Sequence, residues 1–252
     1  TGGFAPLVPA HESMCIPSPD GVTDEQAVLA DPFSVSLHGI IKRPPSPGST
    51  VLVYGCGTLG LLAVAILRAL YPETRVLAIA RFPHQKALAE RFGAAVVLPH
   101  EPVKEIVTRV AQETGAQLMT PWYGPPWLYG GGVEVVYDTV GLPGTIEVAL
   151  RIAAARGAVV VTGVEMPQRF EWTPLYFKEI TLIGSNAFGV EEFEGQRRHS
   201  MEIYLDLVAQ RRIDVTPILT HRFTLEAYRE AFLACGDQGR SGAVKVLFTY
   251  PA

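Results

Sequence analysis

Residues 51–60 read "VLVYGCGTLG" and run directly into "LLAVAILRAL" at 61–70. An apolar run of four ends in Gly55, glycine recurs at 57 and 60, and a long apolar-periodic segment follows. That succession predicts a buried strand, a tight turn and a helix. Gly55 permits the turn, Gly57 lets backbone approach a pyrophosphate, and Gly60 allows close packing of helix on strand. Together with Thr58 and Leu59 they present free N–H groups at a positive helix end, which suits phosphate oxygens. These five residues are the first candidates for cofactor binding. The competing reading is a glycine-rich strand–helix connection that holds nothing; the strand before the motif and the helix after it favour a ligand.

Outward from the motif the same alternation continues. "RVLAIA" (75–80) predicts a second strand, and "PHQKALAERFGA" a helix with Pro83 at its start and Gly93 past its end. "AVVL" (95–98) predicts a third strand and "EPVKEIVTRVAQETG" (101–115) a helix. "VEVVYDTV" (133–140), a helix over "GTIEVALRIAAA" (144–155), "GAVVVTGV" (157–164) and "ITLIGS" (180–185) complete the series. Continuous apolar strands alternating with helices predict an α/β fold, a doubly wound parallel Rossmann sheet of six strands. The flanks do not continue the pattern. Residues 1–47 predict a strand-like start, a helix from Asp24 to Lys42 and the Pro-rich joint "RPPSPGS". After Ser185 the pattern predicts a long helix at 194–211, then strand, helix, turn and strand to the end. One insertion, "LMTPWYGPPWLYGGG" (118–132), reads as a rigid surface loop burying its own aromatics, or as part of a substrate mouth or subunit contact.

Composition limits the function classes. Of 252 residues, 48% are hydrophobic and 18% charged, and the net charge is -4, which leaves no electrostatic footprint for nucleic acid. Cys15, Cys56 and Cys235 lie far apart, form no C-x-x-C pair and fit a reducing compartment, so a cytoplasmic location is expected. No apolar stretch reaches membrane-spanning length, and the first residues, "TGGFAPLVPA", carry no positively charged export signal.

The end of the second strand reports on cofactor choice. An NAD site wants Asp or Glu there for the adenosine ribose hydroxyls. The sequence has Ala80 and then Arg81, with His84 and Lys86 close behind. A guanidinium without a carboxylate welcomes a 2′-phosphate, which predicts NADP over NAD, with NAD still possible. The other reading leaves Arg81 solvated and either cofactor loosely bound. The missing acid also counts against an S-adenosylmethionine methyltransferase. None of the nine Tyr precedes a Lys by four, as a short-chain dehydrogenase requires.

Several segments resemble the zinc-dependent medium-chain dehydrogenase/reductase family of alcohol and polyol dehydrogenases. They are "GGFAPLVPA" (2–10), "PDGVTDEQAVLADPFSVSLHGI" (19–40), "VLVYGCGTLGLLAV" (51–64), "VYDTVG" (136–141), "EITLIGS" (179–185) and "RSGAVKVLF" (240–248). The resemblance implies a remnant of a GroES-like catalytic lobe at 1–32, a cofactor domain at 33–186, and a linking helix and return into that lobe at 187–252. It also implies that the family's N-terminal half, with most zinc ligands, would precede Thr1. Asp31, in "LADPFSV", falls where the polyol branch carries a zinc carboxylate; the alternative is a helix cap. His38 lies two turns on, about 10 Å along a helix, too far to share a metal with Asp31. "HES" at 11–13 lacks the family's preceding glycine and reads as a polar turn.

By the same resemblance Thr139, Val140 and Gly141 follow the fourth strand beside the cofactor. Gly163 and Val164 lie near nicotinamide, Ser185 and Asn186 hold its carboxamide, and Lys245 reaches the pyrophosphate. It implies an NADP-linked oxidoreductase acting on a small-molecule alcohol or carbonyl, with zinc only if the missing ligands are supplied and no activity alone. A homo-oligomer, a dimer, would form through the sixth-strand edge. No catalytic residue is assigned. The reading from another class is a non-catalytic nicotinamide-binding or sensing module.

Overall fold

The computed structural model describes residues 3–166 and 168–250. The outermost positions of the first and last predicted segments, 1–2 and 251–252, lie outside the described residues. Six strands, β1 (Thr50–Tyr54), β2 (Arg75–Ala80), β3 (Val96–Pro99), β4 (Val133–Asp138), β5 (Ala153–Val161) and β6 (Thr181–Gly184), form one sheet. The order is β3–β2–β1–β4–β5–β6 and every neighbouring pair is parallel. This is the doubly wound Rossmann order, whose direction reverses beside β1 and leaves a crevice at the strand ends there.

Both faces of the sheet are covered, which is why the strands read as unbroken apolar runs. Val51 and Val53 point into one core with helices α1 (Ala30–Lys42), α2 (Thr58–Leu70) and α6 (Ser200–Ala209). Leu52 and Tyr54 point into the other, with α4 (Val103–Thr114) and α5 (Pro143–Ile152). α2 is apolar all round and wholly buried from Gly60 to Leu67. Each of its fully buried Leu, Ile and Val side chains, Leu61 to Leu67, contributes about 1.5–3 kcal/mol. α3 (Pro83–Arg91) follows β2. No helix among the described residues is long and apolar enough to cross a membrane.

Four expectations are corrected. The helix expected over 24–42 is two helices, Asp24–Ala27 and α1. Pro32 has no N–H to donate to the Val28 carbonyl, so one helix cannot run through. The first third of the helix expected at 194–211 belongs to a β-hairpin, Val190–Phe193 paired with Gln196–His199. Its two-residue loop, Glu194 and Gly195, has φ of +49° and +77°, the double-positive turn that matches strand twist. The strand-like start is extended chain with one 3₁₀ turn, Glu12–Met14, where the His11 ring accepts from the Ser13 N–H as a polar turn would. The aromatic insertion does not bury its own rings. It makes a short hairpin, Gln117–Met119 with Trp127–Tyr129, from which Trp122 and Tyr123 project fully exposed. It lies just before β4, at the end of the sheet opposite Gly55, so it is not a mouth of the crevice.

The tail follows its pattern: Leu219–Thr224, helix α7 (Tyr228–Gly236), a short helical turn Gln238–Ser241, and Lys245–Thr249 parallel to the first strand. A sharper departure is the junction of α5 and β5, where helix gives way to strand at Ala153 with no loop. Buried Lys178 holds it, donating to the carbonyls of Arg151 at 3.0 Å and Ala153 at 2.6 Å. Burial, reinforced by the Arg151 charge, pulls the lysine down to about 7. The unfolded chain, with an ordinary lysine near 10.5, therefore binds more protons between these values, and folding gains as pH rises. Denaturant unfolding should show wild type gaining on Lys178→Met between pH 7.5 and 9.5 by on the order of 1 kcal/mol per pH unit. Wild-type stability that stays level or falls relative to Lys178→Met over this range would remove the buried, proton-shedding lysine.

Candidate cofactor cleft

The cleft is built where β1 hands over to α2. Gly55 adopts φ +91°, and a Cβ there would lie 2.5 Å from Val140 Cγ2. A Cβ on Gly60 would lie 1.7 Å from the Gly55 carbonyl oxygen. The first turn of α2 is thus pressed onto the end of β1. Thr139 locks the contact: its N–H donates to Tyr54 O at 3.0 Å and its hydroxyl reaches the same oxygen at 2.9 Å. Gly57 is the N-cap of α2, and no side chain caps the helix. The first turn carries no acid. A Cβ on Gly57 would meet nothing within 4 Å. Space is left at the one point where uncapped amides and the positive helix end converge, the arrangement a phosphate needs.

Around this point a cleft of about 400 Å³ is lined by Gly55, Cys56, Gly57, Arg81, Thr139 and Val140, with Tyr54, Phe82, His100 and Gln238. Thr58, Leu59 and Gly60 follow Gly57 in the first turn of α2 without lining the cleft, and buried Ala80 sits in β2 between the lining residues Ile79 and Arg81. Arg81 is exposed, its guanidinium carbon 5.2 Å from the Phe82 ring centroid. The tip is fixed by Gln85, a buried residue whose side-chain oxygen accepts from the N–H groups of Arg81 at 3.3 Å and Phe82 at 3.4 Å. Burial holds the His84 imidazole below its usual value.

The β4 loop is held by Asp138, which the sequence reading passed over. Fully buried, its carboxylate accepts from Val140 N–H at 2.9 Å, Gly141 N–H at 3.1 Å and the Thr145 hydroxyl at 2.8 Å. Burial raises its pKa, and these donors oppose the rise. Gly141 in turn meets the β5 loop backbone to backbone: a Cβ there would be 2.1 Å from Gly163 O. The cleft offers amides, hydroxyls and a cation. Its Cys56 thiol, pushed up to about 12 by burial, is a packing group and not a nucleophile.

The remaining candidates do not line this cleft. Val164 and Asn186 are exposed. Ser185 is buried, its hydroxyl without a hydrogen-bond partner and close to Gly39 of α1. Lys245 lines an apolar pocket with Phe4, Phe232 and Phe248, and it is Val244 O that reaches α2, accepting from the Thr58 hydroxyl at 3.0 Å. Asp31 is exposed in the first turn of α1. His38 is engaged with buried Glu191 at 2.7 Å. Among the described residues no three His, Cys, Asp or Glu side chains gather to hold a metal ion, so the residues present do not fit zinc.

Residues 58–203 match the family described as zinc-binding dehydrogenase. L-idonate 5-dehydrogenase of Vitis vinifera is 26% identical over 251 residues, covering 98% of this chain and 62% of the relative. A protein of Escherichia coli CFT073, described as a short chain alcohol dehydrogenase complexed with NADH, superposes with a TM-score of 0.76 at 20% identity, over 93% of this chain and 62% of that one. A putative zinc-binding dehydrogenase of Sinorhizobium meliloti bound to NADP superposes with a TM-score of 0.71 at 25% identity, over 92% and 61%. The chain spans about three fifths of the length of these relatives.

The two inner glycines should behave oppositely in the free protein. Gly60→Ala drives a methyl into the Gly55 carbonyl and should cost about 2–3 kcal/mol, lowering Tm by roughly 5 °C or more. Gly57→Ala, with open space before it, should melt within about 1 °C of wild type. Equal losses in calorimetry would contradict the packing described.

Proposed function

We propose, for a chain that belongs to the zinc-binding dehydrogenase family, that it forms the NADP-binding part of an oxidoreductase interconverting a small-molecule alcohol and its carbonyl. The observation that carries this reading is the uncapped α2 N-terminus behind Gly57 with Arg81 at the β2 tip. The amides of the first turn bind the pyrophosphate and the helix end neutralises part of its charge. Arg81, steadied by the Phe82 ring and the Gln85-held backbone, takes the 2′-phosphate. The β4 and β5 loops, fixed on each other through Gly141 and Gly163, carry the cofactor toward Ser185. A bound nicotinamide supplies or accepts the hydride.

Residues 33–186 act as the cofactor domain, and 1–32 with 187–252 belong to a catalytic lobe. A lone exposed Asp31 cannot hold a metal that needs three protein ligands. Turnover therefore needs polypeptide beyond these 252 residues. The sixth-strand edge, where Leu182 is 41% exposed, is the surface for homodimerisation, and the protein works in the cytoplasm.

Titration calorimetry tests the cofactor assignment. Arg81→Ala should weaken NADPH about 10- to 100-fold, the worth of a charge-assisted contact, and NADH less than about threefold. Gly57→Asp, placing a carboxylate in the phosphate space, should abolish both while leaving the thermal melt in place. Equal NADPH affinity in wild type and Arg81→Ala would remove Arg81 from the site. Alcohol-dependent reduction of NADP by these 252 residues alone would refute the need for further polypeptide.

A further inference from the structure

The cleft has a wall that comes from the far end of the chain. Among its lining residues, Gln238 alone lies beyond residue 145. The turn that carries it is fastened at both ends. Beside it, Gly239 seats on the ring that follows Arg81: a Cβ there would be 3.0 Å from Phe82 Cε1. At the other end the Val244 carbonyl accepts from the Thr58 hydroxyl at 3.0 Å, in the first turn of α2. Between these anchors Gly242 takes φ +74°. Ser241 donates to Ala234 O at 2.8 Å and accepts from Ala243 N–H at 3.1 Å. The segment therefore bridges the β2 tip and the phosphate-facing helix, and Gln238 lines the cleft next to the Gly239–Phe82 contact, at its Arg81 end.

We propose that Gln238 is a cofactor-binding residue whose side-chain amide, carried by the return segment, joins Arg81 in meeting the adenosine ribose and its 2′-phosphate. This rests on reading the cleft as a dinucleotide site. A carboxamide offers two N–H donors and an acceptor oxygen, so it serves a phosphate oxygen and a ribose hydroxyl without adding charge. A carboxylate at this place would accept from ribose hydroxyls and repel a phosphate. The neighbouring acid, Asp237, is turned to Arg240, with 3.7 Å between their charged atoms. The return segment thus contributes to cofactor choice as well as closing the domain.

Wild type, Gln238→Ala and Gln238→Glu are titrated with NADPH and NADH by calorimetry, with thermal unfolding as a check on folding. Gln238→Ala should weaken both cofactors about 3- to 10-fold, the worth of one hydrogen bond. Gln238→Glu should lower the NADPH-to-NADH affinity ratio at least about tenfold, by costing NADPH and sparing NADH. A folded Gln238→Glu that keeps the wild-type ratio overturns the assignment of Gln238 while the cleft stands. Wild type that binds neither dinucleotide overturns the cleft itself and this assignment with it.

Discussion

A contact between two stretches of backbone governs this molecule. The first turn of α2 lies so close to the end of β1 that the hydrogen of Gly60 is all that fits beside the Gly55 carbonyl. Closeness of that kind fixes the direction of the helix, and with it the direction of its unpaired amides. Thr139 reinforces the contact from β4, and buried Asp138 reinforces Thr139's loop. One steric constraint is thereby converted into an electrostatic one: a patch of positive potential at the crevice where the sheet reverses direction. The apolar mass of α2, buried on every side, anchors that patch to the core.

The order of strands and helices was legible because it rests on periodicity and on glycine and proline, which act locally. The same local logic explains the failures. Pro32 split a helix that apolar spacing had joined. Glu194 turned a chain that has no Asn-Gly signal, because a non-glycine residue took up a positive φ there. The exposure of Trp122 and Tyr123 is invisible in composition, since aromatic content does not say which rings find a neighbour.

In the candidate site, legibility fell with distance from the motif. The glycine turn and the Arg81 tip were read from adjacent residues. Gln85 could have been found from its place three residues after the helix cap, where a side chain reaches back to free N–H groups. Asp138 stands in "VYDTVG", yet its role depends on burial. Gln238 carries no sequence signal at all; only the folding of the return segment onto Phe82 brings it to the cleft. Among the carried-over positions, Val164 is exposed beside the Gly141 loop, and Lys245 lines a separate apolar pocket with Phe4 and Phe232.

Where a pyrophosphate sits can be seen residue by residue. Backbone amide NMR of the isotope-labelled chain during titration with ADP-ribose, a ligand without nicotinamide, reports the site directly. The largest shifts should fall on the amides of residues 57–60, with smaller ones at 139–141. Saturating shifts confined to other residues, with Thr58, Leu59 and Gly60 unmoved, would contradict it.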